Sequence, residues 1–187
     1  SAHAGRNPED GRNALVAAAE LALRLSMSKT PGLSINPAKI DGGSPNNVVP
    51  DLAILRVNLR PRTTDDQEIA ARLIAKALDE TAKQHDVYIE AHGGFGRPPK
   101  PLTEAAEALF NLVKQAGADL GQGIDWRPSG GVCDGNNIAA CGVPVVDTMG
   151  VRGGKIHSSE EYLIADSLPE RAALSALSIL RLAGEVA

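Results

Sequence analysis

The sequence predicts a mixed α/β chain in two parts, and three observations carry that reading. Residues 1–94 alternate between helical and strand periodicity. The stretch "GGFGRPPKP", residues 93–101, then interrupts the pattern with glycine and proline. Residues 95–187 resume as helices separated by two short apolar runs. A chain of 187 residues has room for one ordinary domain or two small ones, each able to bury a core.

In the first part, 1–94, Asn7 is expected to cap a helix with Pro8 at its first position and Glu9 and Asp10 in its first turn, where acids meet the positive end of the helix dipole. Leu15, Ala18, Ala19, Ala22 and Leu25 form its apolar stripe. After the turn "KTPG" a strand is expected in "LSINPAKIDGG", and after "SPNNVVP" a clearer one in "LAILRVNLRP". There Leu55, Val57 and Leu59 share one face and Arg56, Asn58 and Arg60 the other, because strand side chains alternate. A second helix near Thr64 to Gln84 and a strand in "DVYIEAHGG", with Val87, Ile89 and Ala91 on one face, complete the order. Helix, strand, strand, helix, strand is a ferredoxin-like βαββαβ unit without its first strand, which is expected just upstream of Ser1.

The second part, 95–187, reads as a helix from Thr103 to about Ala116, a short strand near Ile124 to Arg127 and the turn "PSGGVCDGNN". A short helix ending at Gly142, a buried strand "VPVVDTM", a turn containing His157 and a last helix from about Ser167 to Leu182 follow. Two short strands are thin for an independent doubly wound domain, so this part reads as the closing portion of a larger α/β sheet domain.

With 43% hydrophobic and 22% charged residues and a net charge of -4, the composition is that of a soluble globular protein with no electrostatic footprint for nucleic acid or an anionic membrane. The longest apolar run, "ALVAAAELALRL", is interrupted by Glu20 and Arg24 and is too short for a membrane span. Cys133 and Cys141 stand too far apart for a Cys-x-x-Cys pair and are too few for a disulfide framework, so both read as buried thiols. The chain opens "SAHAG" without a methionine, which leaves a signal peptide upstream open; the compartment is undecided, with the cytoplasm favoured.

The histidines are His3, His85, His92 and His157. A hydrolytic two-metal site needs several histidine and carboxylate ligands and a base for the attacking water. The chain has no His-x-Asp pair and no His-x-x-x-His, so it cannot build such a site alone. Taken singly, His85 reads as a cation at a helix end, His92 as a solvated residue and His157 as either a surface residue or a metal ligand with distant partners. No Gly-x-Ser-x-Gly elbow surrounds the serines, and "GGFG" lacks the context of a phosphate loop.

Five stretches, "SAHAGRNPEDGRNAL", "GGSPNNVVPDLAILRVNLRP", "GFGRPP", "SGGVCDGNNIAACGVPVVDTMG" and "GGKIHSSEEYL", change that balance when taken in order. Together the chain resembles the dinuclear-zinc amidohydrolase and carboxypeptidase family that includes glutamate carboxypeptidase, acetylornithine deacetylase and succinyl-diaminopimelate desuccinylase. The likeness is closest to the glutamate carboxypeptidase branch. It implies a ferredoxin-like lid or dimerisation domain over 1–94, followed over 95–187 by the C-terminal part of an α/β zinc-peptidase catalytic domain.

The resemblance also implies roles. His3 matches a lid histidine that reaches the neighbouring subunit's site and polarises the scissile carbonyl. Asn47 and Arg60 match lid residues that contact the substrate's carbonyl or carboxylate, and Arg97 matches a hinge arginine associated with substrate carboxylate binding. His157 matches the terminal metal ligand of a site holding two zinc ions, the other ligands and a glutamate base lying upstream. The implied activity is metal-assisted hydrolysis of an amide bond in a glutamate-type C-terminal conjugate or an N-acyl amino acid, by a homodimer joined through the lid, with this segment alone inactive. The chain departs from the family pattern at Asn58-Leu59-Arg60, where Asp-x-Arg is usual, and at Cys133, where a small hydroxyl residue commonly precedes Asp134-Gly135. The alternative from another class is a non-catalytic dimerisation or ligand-binding module that kept this fold.

Overall fold

The computed structural model describes every residue except Lys29, Glu185 and Ala187. Lys29, in the expected turn "KTPG", therefore lies outside the described residues. The chain divides into two compact units, Ser1–Pro99 and Lys100–Ala187.

The first unit runs β1 (Ala2–His3), a single 3-10 turn (Pro8–Asp10), α1 (Ala14–Met27), β2 (Leu33–Gly42), β3 (Val48–Val49), β4 (Ala53–Pro61) and α2 (Thr64–His85). β2 and β4 form an antiparallel ladder from Leu33 opposite Pro61 to Gly42 opposite Ala53, with a bulge between Pro37 and Lys39. Proline has no N–H for the ladder, so the irregularity falls where pairing is already weakened. One face of this sheet is core: Ile35, Leu55 and Val57 pack on Leu21, Leu25 and Ala77 of the two helices. The other face carries Arg56, Asn58 and Arg60, all exposed. α2 starts where Thr63 Oγ1 accepts from the Asp66 N–H at 3.1 Å and the Asp66 carboxylate accepts from the Thr63 N–H at 3.0 Å. This reciprocal capping box satisfies two helix-end donors and puts an acid at the positive end of the dipole.

Three expectations for this unit are corrected. Asn7 opens only the 3-10 turn and makes no side-chain cap. The helix is capped instead by Asn13, whose side chain accepts from the Val16 N–H at 3.1 Å. The cause is the close passage of the chain at Gly11, where a Cβ would stand 2.9 Å from Ala2 Cβ and 3.0 Å from Val49, and the tie of the Ala14 N–H to the Pro50 carbonyl at 2.9 Å. The buried stripe of α1 is Ala17, Ala18, Leu21 and Leu25. Leu15, Val16, Leu23 and Met27 are exposed, so α1 is apolar around most of its circumference and periodicity alone does not select the core face. Residues 87–91 form no strand and pair with no strand among the described residues. Val87 and Ile89 are still half-buried between exposed neighbours; the alternation is present without a ladder.

The second unit contains α3 (Glu104–Asp119), α4 (Asp134–Ala140), β5 (Gly153–Gly154), β6 (Tyr162–Leu163) and α5 (Ser167–Leu182). α3 is capped by Thr103, which accepts from the Ala106 N–H at 3.2 Å. Val113 and Ala116 of α3 meet Leu174 of α5, and Leu112, Ile124, Val146, Met149 and Leu177 pack around them. Gly117 allows the close approach of residue 124, since a Cβ there would lie 2.3 Å from Ile124 Cγ1. The two expected strands, 124–127 and 143–149, are absent as strands, although Ile124, Val146 and Met149 reach the core. Their apolar pattern specifies burial, whereas a strand also needs a neighbour for its backbone groups. The thiols differ from expectation too: Cys141 is exposed and Cys133 half-buried.

A polar cluster holds the start of this unit to its interior. The Lys100 ammonium pairs with the Asp147 carboxylate, which also accepts from the Cys133 thiol at 3.0 Å. Burial pushes the Asp147 carboxyl up, but the Lys100 and Cys133 hydrogen bonds outweigh it and hold the group below its ordinary 3.8. Ser167, fully buried, accepts from the Arg152 N–H at 2.9 Å and donates to the Ile164 carbonyl at 2.6 Å, tying the β5–β6 pair to α5.

Two outcomes follow from this packing. Leu174, 1% exposed, is expected to cost about 2–5 kcal/mol when replaced by alanine, read by chemical denaturation; a loss near zero would contradict a core centred there. A lowered carboxyl pKa contributes stability that is fully present above the unfolded value and lost as pH falls through the folded one. Wild type and Asp147→Asn should therefore differ in denaturation midpoint at neutral pH and converge as pH drops well below 3.8. A gap that persists unchanged in acid would mean the charge is not what Asp147 contributes.

Candidate substrate and metal site

β1 is short, yet it places the first candidate residues. His3 stands opposite Val48 and Ala2 opposite Val49 in an antiparallel pair, and the Ala4 N–H donates to the Asn47 carbonyl at 2.9 Å. The pairing that fixes His3 thus fixes Asn47 next to its cross-strand partner. The His3 ring is braced from behind, since the Gly5 N–H donates to its Nδ1 at 3.1 Å. An accepting Nδ1 puts the proton of the neutral ring on Nε2, which becomes a donor. Both side chains are exposed, as a residue that meets a ligand must be.

Arg60 lies on the outward face of β4, opposite Ser34. Its Nε donates to Asn58 Oδ1 at 2.8 Å, a contact between residues two apart on one strand face. Arg97 is exposed at a bend in the irregular segment ending the first unit.

His157 belongs to the second unit, in the loop between β5 and β6. Its φ is 67°, and that of Lys155 is 56°. Left-handed backbone costs a residue with a Cβ on the order of 1 kcal/mol, so the surroundings must impose it. The Ser158 N–H and Oγ both donate to the Lys155 carbonyl, at 3.1 and 2.7 Å. The His157 N–H donates to Glu161 Oε2 at 3.2 Å, and Lys155 pairs with Glu160 at 2.8 Å. The two acids after His157 therefore brace the loop that presents it, and its ring is exposed.

Among the described residues no group of three or more His, Cys, Asp and Glu side chains converges to hold a metal. His157 is the donor type that zinc accepts, but one imidazole fills one position of four. The residues present thus fit a zinc site as one contributor to it. An open depression of about 370 Å³ in the second unit, lined by Leu120, Gln122, Ile124, Arg152, Glu170 and Arg171 among others, contains none of the candidate residues. Sequence reasoning left two contacts unassigned. The Asn58–Arg60 bond was accessible from strand parity; the Lys100–Asp147–Cys133 cluster had no local signal, its lysine and aspartate being 47 positions apart.

Comparison with known proteins follows the same lines. Residues 1–86 match the peptidase dimerisation domain of the M20 family. The chain is 32% identical to carboxypeptidase G2 of Pseudomonas sp. (strain RS-16) over 97% of its own length and 45% of that protein's. It is 46% identical to the indole-3-acetyl-aspartic acid hydrolase of Enterobacter agglomerans over 48% of this chain and 21% of the relative. Among solved structures, the YXEP protein of Bacillus subtilis, described as a dinuclear metal binding peptidase from the M20 family, superposes with a TM-score of 0.68 at 16% identity, covering 93% of this chain and 47% of that one. The fold is shared with it, and the chain spans less than half the length of these relatives. The paired β1–β3 start and these matches have one conclusion: residues 1–86 are a peptidase dimerisation domain of the M20 type, and the chain as a whole is similar to M20 peptidases.

Proposed function

We propose that this chain is the C-terminal part of a metal-dependent hydrolase that cleaves the amide bond of a glutamate-type C-terminal conjugate or an N-acyl amino acid. The observation that carries the reading is the β1–β3 pair, which sets His3 beside Asn47 with Nδ1 occupied and Nε2 left as the donor. A fixed Nε2–H donor is what an amide carbonyl needs as its oxygen gains charge in the transition state. Asn47 adds an amide beside it, and Arg60 and Arg97 supply guanidinium groups suited to a substrate carboxylate. The similarity to carboxypeptidase G2 and to an acyl-aspartate hydrolase supports an acidic substrate.

His157 would give one imidazole ligand to a two-zinc centre whose other ligands and glutamate base belong to a preceding part of the protein. Zinc bound there would act as a Lewis acid and activate the attacking water. The first unit, 1–94 by the sequence reading, serves as lid and homodimer interface; the exposed position of His3 supports its working in the neighbouring subunit's site. The second unit, 95–187 by the same reading, closes the catalytic domain and is inactive without the rest. Among the described residues no helix is long and apolar enough to cross a membrane.

The metal assignment is tested on the complete protein. His157→Ala is expected to lower bound zinc and abolish most hydrolysis of N-acyl glutamates while leaving circular dichroism and the melting profile nearly unchanged, because an exposed loop ligand contributes little to a core. Undiminished zinc stoichiometry in the purified variant would remove His157 from the site.

A further inference from the structure

The outward face of the β2–β4 sheet is electrostatically uneven along its length. Its register sets Ser34 opposite Arg60, Asn36 opposite Asn58, Lys39 opposite Arg56 and Asp41 opposite Ile54. At one end Asp41 takes both Lys39, at 2.6 Å, and Arg56, at 3.6 Å. The hydrogen bond from Lys39 is the main reason its carboxyl stays below the ordinary range. At the other end the ladder residues beside Arg60, namely Ser34, Asn36 and Asn58, are uncharged, the exposed Arg62 follows just past the strand, and the guanidinium Nε donates to the Asn58 amide oxygen at 2.8 Å.

We propose that Asn58 is a positioning and specificity-determining residue: it orients the Arg60 guanidinium through a neutral hydrogen bond, and so favours acidic over neutral substrates. The proposal rests on the reading of Arg60 as a residue that binds the substrate carboxylate. A carboxylate at position 58 would accept from Nε equally well, and more strongly because the bond would be charge-assisted. It would also place a negative charge within Coulomb range of any anion held by Arg60. The amide gives the orientation without that opposing charge. Because Oδ1 accepts from Arg60, the Asn58 amide nitrogen brings two further N–H donors to the same corner, where a carboxylate would bring only acceptors. Asn36 and Ser34 across the ladder add polarity and no charge.

The test is kcat/KM of the complete protein for an N-acyl glutamate and for its side-chain amide, in wild type, Asn58→Asp, Asn58→Ala, Arg60→Ala and the Asn58→Asp/Arg60→Ala pair. Asn58→Asp should reduce the acid-over-amide ratio roughly tenfold, the order expected for one added charge near the guanidinium at intermediate dielectric, mainly through KM for the acid. Asn58→Ala should reduce it less, since orientation is lost without added repulsion. In the Arg60→Ala background, Asn58→Asp should have little additional effect, because coupled residues are not additive. If Arg60→Ala collapses the ratio but both Asn58 variants leave it at the wild-type value, the role of Asn58 is overturned and that of Arg60 stands. If Arg60→Ala lowers both substrates alike, the carboxylate reading of Arg60 fails and the proposal fails with it. Equal losses on both substrates in both Asn58 variants would make Asn58 structural and also overturn it.

Discussion

The first unit depends on a pairing only two residues long on each side. Ala2 and His3 against Val48 and Val49, extended by the Ala4 N–H to the Asn47 carbonyl, connect the start of the chain to the loop between β2 and β4. Around that pairing the backbone is packed closely enough to require glycine at position 11, and the first turn of α1 is tied to Pro50. The same few bonds therefore decide where α1 begins and where the His3 ring stands. Such a short pair is marginal in isolation; here Val49 is buried and the backbone at Gly11 packs against Ala2 and Val49.

How much of this was readable beforehand depended on whether the signal was local. The β4 alternation of Leu55 and Val57 against Arg56, Asn58 and Arg60 is local, and the structure has it. So is the last helix, which spans Ser167–Leu182. By contrast, the apolar runs 87–91, 124–127 and 143–149 carry strand-like composition, but a strand is a relation between two segments, and pairing partners are not written in a run itself. The start of α1 departs from its local signal for a related reason. Pro8, Glu9 and Asp10 form a good first-turn signal, yet tertiary ties at Gly11 and Ala14 end that turn and hand the cap to Asn13.

The candidate residues divide in the same way. Motif order identified His3, Asn47, Arg60, Arg97 and His157 as residues of interest, but the features that give them chemical character are geometric. These are the hydrogen bond that His3 Nδ1 accepts from the Gly5 N–H, the Asn58 amide oxygen that accepts from Arg60 and the left-handed turn that presents His157. The acids at 160 and 161 illustrate the limit of spacing arguments: next to a histidine they look like further ligands, whereas Glu160 pairs with Lys155 and Glu161 accepts from the His157 backbone. Both carboxylates thus hold the backbone of the loop from which His157 projects.

The central claim is that one hydrolytic site uses His157 of one subunit and His3 of its neighbour. Mixing the complete protein bearing His3→Ala with the same protein bearing His157→Ala, under conditions that exchange subunits, tests it directly. Each variant should be nearly inactive alone, and the mixture should recover about a quarter of wild-type activity, because random pairing in a two-fold dimer gives one site in four both native histidines. Verified heterodimers without recovered hydrolysis would contradict the claim.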